Sequence, residues 1–197
     1  TQANLLKDHL GYEMLSFPVY KEGDLLTRHL MKGVNLDPKK AAFYFAMNRF
    51  ENKDNIENKN IVLDRYVYSN IMYQSARMKL EGESDTQIQH FVDYQLFLEF
   101  KTFALPEPDV VIFLDVPFEI SQKLNKKRGS EDAYEKDLKL RKISYEFGKT
   151  MMKEKGFGSN NTKHWITIDC TEDGKLLPKE VVFSKILSEL DRLKIGL

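Results

Sequence analysis

Four short apolar runs, separated by long amphipathic segments, constrain most strongly how this 197-residue chain can fold. The runs lie at residues 12–17, 61–63, 110–116 and 165–168. Such alternation favours parallel strands that are joined by helical crossovers. The third run is apolar at consecutive positions, which is typical of a central parallel strand covered by helices on both faces. The sequence therefore predicts an α/β fold in which helices flank a parallel β-sheet.

Helices are predicted between these runs, and one further helix precedes the first run and ends at Gly11. Apolar periodicity places the others near residues 22–32, 38–54, 67–80, 85–104, 117–127, 132–154 and 179–194. The length corresponds to one domain, residues 1–197, and residues 126–136 are predicted to form a small lid. A chain of this size can bury a core without disulfides or a structural metal.

The charge balance and the cysteine count exclude several classes of function. Thirty basic side chains balance thirty acidic ones, which argues against a nucleic-acid binder, because recognition of a phosphate backbone normally needs a net basic face. The single Cys170 and four scattered histidines exclude disulfide and Cys/His metal frameworks. The sequence has no signal peptide and no apolar run of membrane-spanning length, so we expect a cytoplasmic protein without a membrane partner.

Three of the apolar runs end in an aspartate, at Asp64, Asp115 and Asp169. Open α/β folds bind ligands at the carboxyl ends of their strands, so these carboxylates are candidates for chemistry, with a turn or capping role as the alternative. Arg65 follows Asp64 directly. An arginine fork grips phosphate oxygens, and the adjacent carboxylate could orient it or hold hydrated magnesium. The alternative for this pair is a surface ion pair.

Two helical faces could form a nucleotide pocket. Phe45 and Arg49 lie four residues apart, so an aromatic plane and a guanidinium could together stack on a base and donate to its edge. Core packing of the phenylalanine beside a solvated arginine is the alternative. On the predicted helix after Arg65, one face is polar, with Asn70, Tyr73, Gln74 and Arg77. This stripe suggests hydrogen bonds to a nucleotide, and the alternative is the solvent-facing side of the helix.

A basic cluster leads into the predicted lid. It consists of Lys123, Lys126, Lys127 and Arg128. A mobile basic loop at this position could close over polyphosphate and exclude water. The alternative is an exposed helix terminus, where cations are electrostatically favoured.

The motifs resemble those of the thymidylate kinase family. Residues 64–74, Asp-Arg-Tyr-Val-Tyr-Ser-Asn-Ile-Met-Tyr-Gln, are similar to the family signature Asp-Arg-Tyr-x-x-Ser-x-x-Ala-Tyr-Gln. Five further pieces follow the family's order, at residues 1–2, 17–20, 45–49, 105–109 and 132–135. The resemblance covers almost the whole chain. It implies a P-loop kinase fold with three α/β/α layers and transfer of the γ-phosphoryl group of Mg-ATP to dTMP, which gives dTDP.

The resemblance also implies how the acceptor is bound. Phe45 would stack on thymine, Arg49 would donate to its O4, and Asn70 would meet the N3 edge. Tyr73 would crowd the 2′ position. Other residues implied to bind the substrate are Tyr20 and Arg65 at the phosphate, Asp132 and Tyr134 near the sugar, and Gln74 on the polar stripe.

Further residues are implied to bind ATP or to act in catalysis. Asp64 and Glu135 would organise Arg65 and the Mg²⁺ shell. Arg77, Lys127 and Arg128 would bind ATP, and Arg128 would stabilise the transferring phosphoryl charge. Relatives are homodimers, which makes the apolar helix at residues 91–103 a candidate interface, with burial in the core as the alternative.

Two features depart from the family pattern. Val19 stands where many relatives carry an arginine, and Lys21 could rebuild that phosphate contact. Residues 1–2 resemble the sequence that follows a Gly-x-x-x-x-Gly-Lys-[Ser/Thr] loop, and the 197 residues contain no such loop. We therefore expect a first strand and a phosphate-binding loop before Thr1, and no kinase activity without them. A deoxynucleoside kinase and a non-catalytic nucleotide-binding module are the alternative functions.

Overall fold

A computed structural model of the chain describes residues 2–23, 25–32, 34–128, 137–157 and 162–195, with side chains omitted for residues 32 and 125–128. The strands are β1 (Glu13–Ser16), β2 (Ile61–Asp64), β3 (Val110–Asp115), β4 (His164–Asp169), β5 (Thr171–Glu172) and β6 (Lys175–Leu176). The helices are α1 (Gln2–Leu10), α2 (Leu25–Lys32), α3 (Pro38–Glu51), α4 (Val67–Leu80), α5 (Asp85–Leu96), α6 (Phe118–Arg128), α7 (Leu138–Lys153) and α8 (Lys179–Leu193). A 3₁₀ turn, Lys53–Asn55, follows α3, and a π-helical turn, Phe97–Thr102, follows α5.

The four predicted strands are confirmed, and they pair in parallel. β1 lies beside β2 with Glu13 opposite Ile61, and β3 lies beside β4 with Val110 opposite His164. Within the described ranges the two pairs are not hydrogen-bonded to each other, whereas the sequence predicts a single sheet. The apolar pattern shows which segments are strands, but it does not specify which edges pair. The further strand expected before Thr1 stays a prediction.

Helices cover both faces of these strands, which confirms the three-layer α/β/α architecture. On one face, Leu63 of β2, Phe113 of β3 and Trp165 of β4 pack with α4, α5 and α7 in one core cluster. On the other face, Ile166 and Ile168 of β4 pack with α8 and α1. Successive β4 residues therefore point to opposite layers, as expected for a strand that is buried on both sides.

Side chains that satisfy free backbone N–H groups fix several helix starts. The Asp37 carboxylate accepts from the N–H groups of Lys39 and Lys40 at the start of α3, and Pro38 occupies its first turn. Ser84 and Gln87 form a reciprocal capping box at the start of α5. The predicted helix at residues 85–104 is α-helical only to Leu96, because the backbone then widens into the π-helical turn.

Candidate functional site

A cavity of about 210 Å³ opens beside the carboxyl ends of β1 and β2. Its lining comes from the segment after β1, from α2 and α3, and from the β2–α4 junction with the first turns of α4. The lining residues are Phe17, Pro18, Tyr20, Leu30, Phe45, Arg49, Arg65, Tyr66, Ser69, Asn70, Tyr73 and Gln74. Seven of them are residues that the sequence singles out for binding the substrate, namely Tyr20, Phe45, Arg49, Arg65, Asn70, Tyr73 and Gln74. The fold therefore gathers one set of predicted residues around one cavity.

Helix α3 supplies Phe45 and Arg49 from one face. Arg49 is only 2% exposed, so the alternative of a solvated arginine is wrong. Its Nε donates to Oε2 of Glu99 at 2.5 Å and its Nη2 donates to Oε1 at 2.7 Å, so the ion pair is bidentate. Phe45 packs in a core cluster with Leu30 and Ala76, which confirms the core-packing alternative for this residue. It also lines the cavity.

Helix α4 turns its polar stripe inward, so the solvent-facing alternative is wrong. Asn70 is 5% exposed and Gln74 is completely buried. The Asn70 Nδ2 donates to the Ala42 carbonyl at 3.2 Å, while its buried Oδ1 has no hydrogen-bond partner in the described part of the chain. Only the amide nitrogen can donate to a carbonyl, so this contact fixes the orientation of the Asn70 amide. Asn70, which lines the cavity, therefore carries an unsatisfied acceptor.

Arg77 lies on the same stripe but is not part of the cavity lining. Its guanidinium donates to the Leu36 carbonyl and to Oε1 of Gln74, the latter at 3.1 Å. The guanidinium thus meets the segment before α3, and the predicted contact of Arg77 with ATP stays a prediction.

The β2–α4 junction carries Asp64 and Arg65. Arg65 has a φ of +66°, in the left-handed region that residues other than glycine rarely adopt and that is concentrated at functional sites. Its guanidinium carbon lies 5.5 Å from the centroid of the Tyr73 ring, within cation–π range. Asp64 is exposed at the end of β2 and is not among the lining residues.

The segment after β1 also lines the cavity. Tyr20 is about half exposed at the cavity. Val19 packs against the core instead of supplying a charge. Lys21, which could have replaced the arginine missing at position 19, forms an ion pair with Glu51 at 2.6 Å.

The other two strand-end aspartates accept hydrogen bonds from within the protein. Asp115 accepts from the Tyr145 hydroxyl at 2.6 Å, and burial together with this hydrogen bond raises the pKa of Tyr145. Asp169 accepts from the N–H and the hydroxyl of Thr171, each at 2.8 Å, and these bonds lower the pKa of Asp169. The turn alternative is thereby confirmed for Asp169.

The predicted lid residues Asp132, Tyr134 and Glu135 lie outside the described residues. Lys127 and Arg128 are the last two residues of α6, and their side chains are likewise outside the description. Among the described residues, no group of three or more His, Cys, Asp or Glu side chains could hold a metal ion. None of the described helices is both long and apolar enough to span a membrane.

Sequence reasoning missed three residues that shape this site. Leu30 lines the cavity, Asn48 hydrogen-bonds the backbone of the segment after β1, and Glu99 pairs with Arg49. A signal existed for Glu99, since it is a lone carboxylate between the apolar pair at residues 97–98 and Phe100. Such a residue is rarely fully buried without a partner.

Known proteins resemble this chain over most of its length. The family model "Thymidylate kinase" matches residues 1–180. A "Probable thymidylate kinase" of Methanococcus aeolicus is 33% identical over 151 residues, which cover 75% of this chain and 70% of that protein. One of Pyrococcus horikoshii is 30% identical over 165 residues, which cover 75% of this chain and 74% of that protein.

A solved structure shares the fold. Deoxyadenosine kinase from M. mycoides with bound dATP superposes with a TM-score of 0.68 at 16% identity, covering 96% of this chain and 92% of that one. This likeness supports a nucleoside kinase fold and no finer conclusion. The family match over residues 1–180 and the sequence relatives show that the chain belongs to the thymidylate kinase family of nucleoside monophosphate kinases.

Proposed function

We propose that the cavity binds dTMP and that the protein transfers the γ-phosphoryl group of Mg-ATP to it, giving dTDP. The observation that carries this proposal is that Asn70, with its buried and unpartnered Oδ1, lines the same cavity as Arg49.

This pair of side chains matches the edge of thymine. Arg49 can only donate hydrogen bonds, and Asn70 offers an acceptor because its amide N–H group is engaged by the Ala42 carbonyl. Thymine presents a carbonyl acceptor next to an N3–H donor. Cytosine presents an amino donor next to an unprotonated nitrogen. The Arg49 donor would then face the amino donor, and the Asn70 acceptor would face the nitrogen acceptor. Such mismatched buried polar groups are costly, so the cavity favours thymine.

The surrounding residues suit the rest of the nucleotide. Phe45 supplies a flat apolar surface for stacking on the base, and Tyr73 stands next to Arg65 where it would crowd a 2′ hydroxyl. Arg65 and Tyr20 would hold the 5′-phosphate at the open side of the cavity. Gln74 would complete the polar wall, and Asp132 and Tyr134 would lie near the sugar.

Mg²⁺ usually keeps several waters and is held by one or two carboxylates together with substrate phosphates. Asp64, exposed beside Arg65, is such a carboxylate, and Glu135 would be the second. When bound, the ion would neutralise charge on the transferring phosphoryl group. Lys127 and Arg128 would add positive charge on the donor side.

We also propose a homodimer. Tyr94 on α5 and Phe97 in the following π-helical turn are exposed aromatic side chains, whereas Phe91 and Val92 of the same segment are buried in the core. Burial in the core is therefore observed for one face of residues 91–103, and the proposed interface would use the other, because large exposed aromatics favour a protein interface.

Titration calorimetry with dTMP, thymidine and dCMP tests the acceptor site without needing a phosphoryl donor. We expect dTMP to bind about tenfold more tightly than dCMP, or better. The Asn70→Ala variant should reduce this preference by a factor of about ten. Asn55→Ala, at an exposed position, is the matched control and should keep it. Equal binding of dTMP and dCMP would contradict the proposal. Binding of thymidine but not dTMP would favour a deoxynucleoside kinase.

A further inference from the structure

Glu99 is the most deeply buried charged side chain near the cavity. Its exposed fraction is 0%, and it lies in the π-helical turn Phe97–Thr102, fifty residues along the chain from its partner Arg49. Both carboxylate oxygens accept from Arg49, one from Nε and one from Nη2. Helical segments of this kind are rare and are often found at functional sites.

We infer that Glu99 is a positioning residue, which orients the Arg49 guanidinium so that the cavity reads the carbonyl of a thymine base. This inference rests on the proposed function, because it concerns how the same site selects its base. It assigns Glu99 no direct contact with the nucleotide, and Glu99 is not among the lining residues.

The geometry of the ion pair supports this role. A bidentate contact fixes the plane of the guanidinium group, because two parallel hydrogen bonds hinder its rotation about the Nε–Cδ bond. In the described part of the chain, the remaining terminal nitrogen, Nη1, has no hydrogen-bond partner, while the Arg49 side chain lines the cavity. A long side chain held by one end loses the alternative rotamers that would otherwise weaken a hydrogen bond to a base.

The ion pair also controls which hydrogen-bonding groups the site can offer. A free buried carboxylate would accept from the amino group of cytosine, as carboxylates do in nucleic-acid recognition. Here both Glu99 oxygens accept from Arg49, and the carboxylate is completely buried and is not part of the cavity lining, so only the Arg49 side of the pair, which donates, lines the cavity. The charge of Arg49 is balanced as well, which avoids an isolated buried cation. The nearby Tyr66 hydroxyl is no competitor, because it donates to the Pro106 carbonyl at 3.1 Å.

The test is the ratio of dCMP to dTMP dissociation constants, measured by calorimetry on the full chain. Glu99→Gln keeps the size of the side chain but removes its charge and one acceptor. We expect dTMP to bind on the order of tenfold more weakly in this variant, with little change for dCMP, so the ratio falls. Glu51→Gln, which breaks the exposed 2.6 Å pair with Lys21, is the control and should leave the ratio unchanged.

A purely structural role for Glu99 would lower the thermal stability and weaken both ligands equally, and that result would overturn the inference. Glu99→Asp decides the matter if the glutamine variant does not fold, because it keeps the charge but is one methylene too short to hold both contacts. We expect its ratio to lie below that of the wild type, and an unchanged ratio would overturn the inference. A wild-type protein without any preference for dTMP would instead refute the proposed function itself.

Discussion

Asn48 and Val19 are joined by two hydrogen bonds. The Asn48 Oδ1 accepts from the Val19 N–H at 2.8 Å, and the Asn48 Nδ2 donates to the Val19 carbonyl at 2.8 Å. Asn48 precedes Arg49 on α3, and Val19 lies between the cavity residues Pro18 and Tyr20. The side-chain amide thus holds the segment after β1 against α3, next to the cavity.

Asn48→Ala should loosen the segment after β1. The variant leaves a partly buried backbone N–H and carbonyl without partners, so the free energy of unfolding should fall by about 1 to 3 kcal/mol. Affinity for dTMP should also fall, because Tyr20 and Pro18 would no longer be held beside Arg49. Urea denaturation and calorimetry measure the two effects, with Asn55→Ala as the exposed control. Unchanged stability and unchanged affinity would contradict a role for this pair.

Arg65→Ala should weaken binding of dTMP but not of thymidine. Loss of a charge-assisted contact with phosphate is worth about 1.5 to 3 kcal/mol, which corresponds to a loss of roughly ten- to a hundredfold in affinity. Thymidine lacks the phosphate, so its binding provides the internal control. If both ligands lost affinity equally, Arg65 would act on the shape of the cavity or on the Tyr73 ring instead of on the phosphate.

Gly156→Ala should destabilise the fold more than Gly174→Ala. Both glycines have a φ near +70°, which disfavours a side chain at either position. A Cβ at Gly156 would also lie 2.5 Å from Trp165, which is itself packed edge-on against Tyr68, whereas a Cβ at Gly174 would meet nothing within 4 Å. The expected losses in the free energy of unfolding are about 1 kcal/mol at Gly174 and about 2 to 4 kcal/mol at Gly156. Equal losses in urea denaturation would mean that the tryptophan ring moves away freely.

Titration of the Cys170 thiol should make the free energy of unfolding fall at high pH. Burial, and to a lesser extent the Asp169 and Asp115 carboxylates, raise the pKa of Cys170 from 9.0 to about 11. The folded state therefore holds this proton more tightly than the unfolded state. The stabilisation is complete below pH 9 and is lost as the pH rises toward 11, with a limiting slope of about 1.4 kcal/mol per pH unit.

Urea denaturation between pH 8 and 11 measures this effect. The difference in the free energy of unfolding between the wild type and the Cys170→Ala variant should decrease as the pH rises. Iodoacetamide should accordingly label the native thiol slowly at pH 8 and the urea-unfolded thiol rapidly. Rapid labelling of the folded protein at pH 8, or identical pH profiles for wild type and variant, would contradict the raised pKa.

Local sequence patterns predicted four of the strands, their parallel pairing and six cavity residues, and the family resemblance added Tyr20. The spacing of Phe45 and Arg49, and of Asn70 and Gln74, predicts which residues share a helix face, because helical geometry depends only on separation along the chain. The strand ends then bring these faces to one edge of the sheet.

Contacts between distant segments could not be predicted in the same way. The pairing of Arg49 with Glu99 depends on how α3 packs against the π-helical turn, and the inward direction of Arg77 toward Leu36 depends on the path before α3. The small β5–β6 hairpin was not predicted, although its Asp173-Gly174 pair is a typical local signal for a hairpin turn. Asp173 and Gly174 both have positive φ, as the turns of two-residue hairpins require.

The most direct test of the central claim is transfer of radiolabelled phosphate from γ-labelled Mg-ATP by the natural protein. Thymidine and dTMP are offered separately as acceptors, and the products are resolved by chromatography. The account predicts labelled dTDP from dTMP and no labelled product from thymidine. Labelled dTMP formed from thymidine, or no transfer to either acceptor, would contradict it.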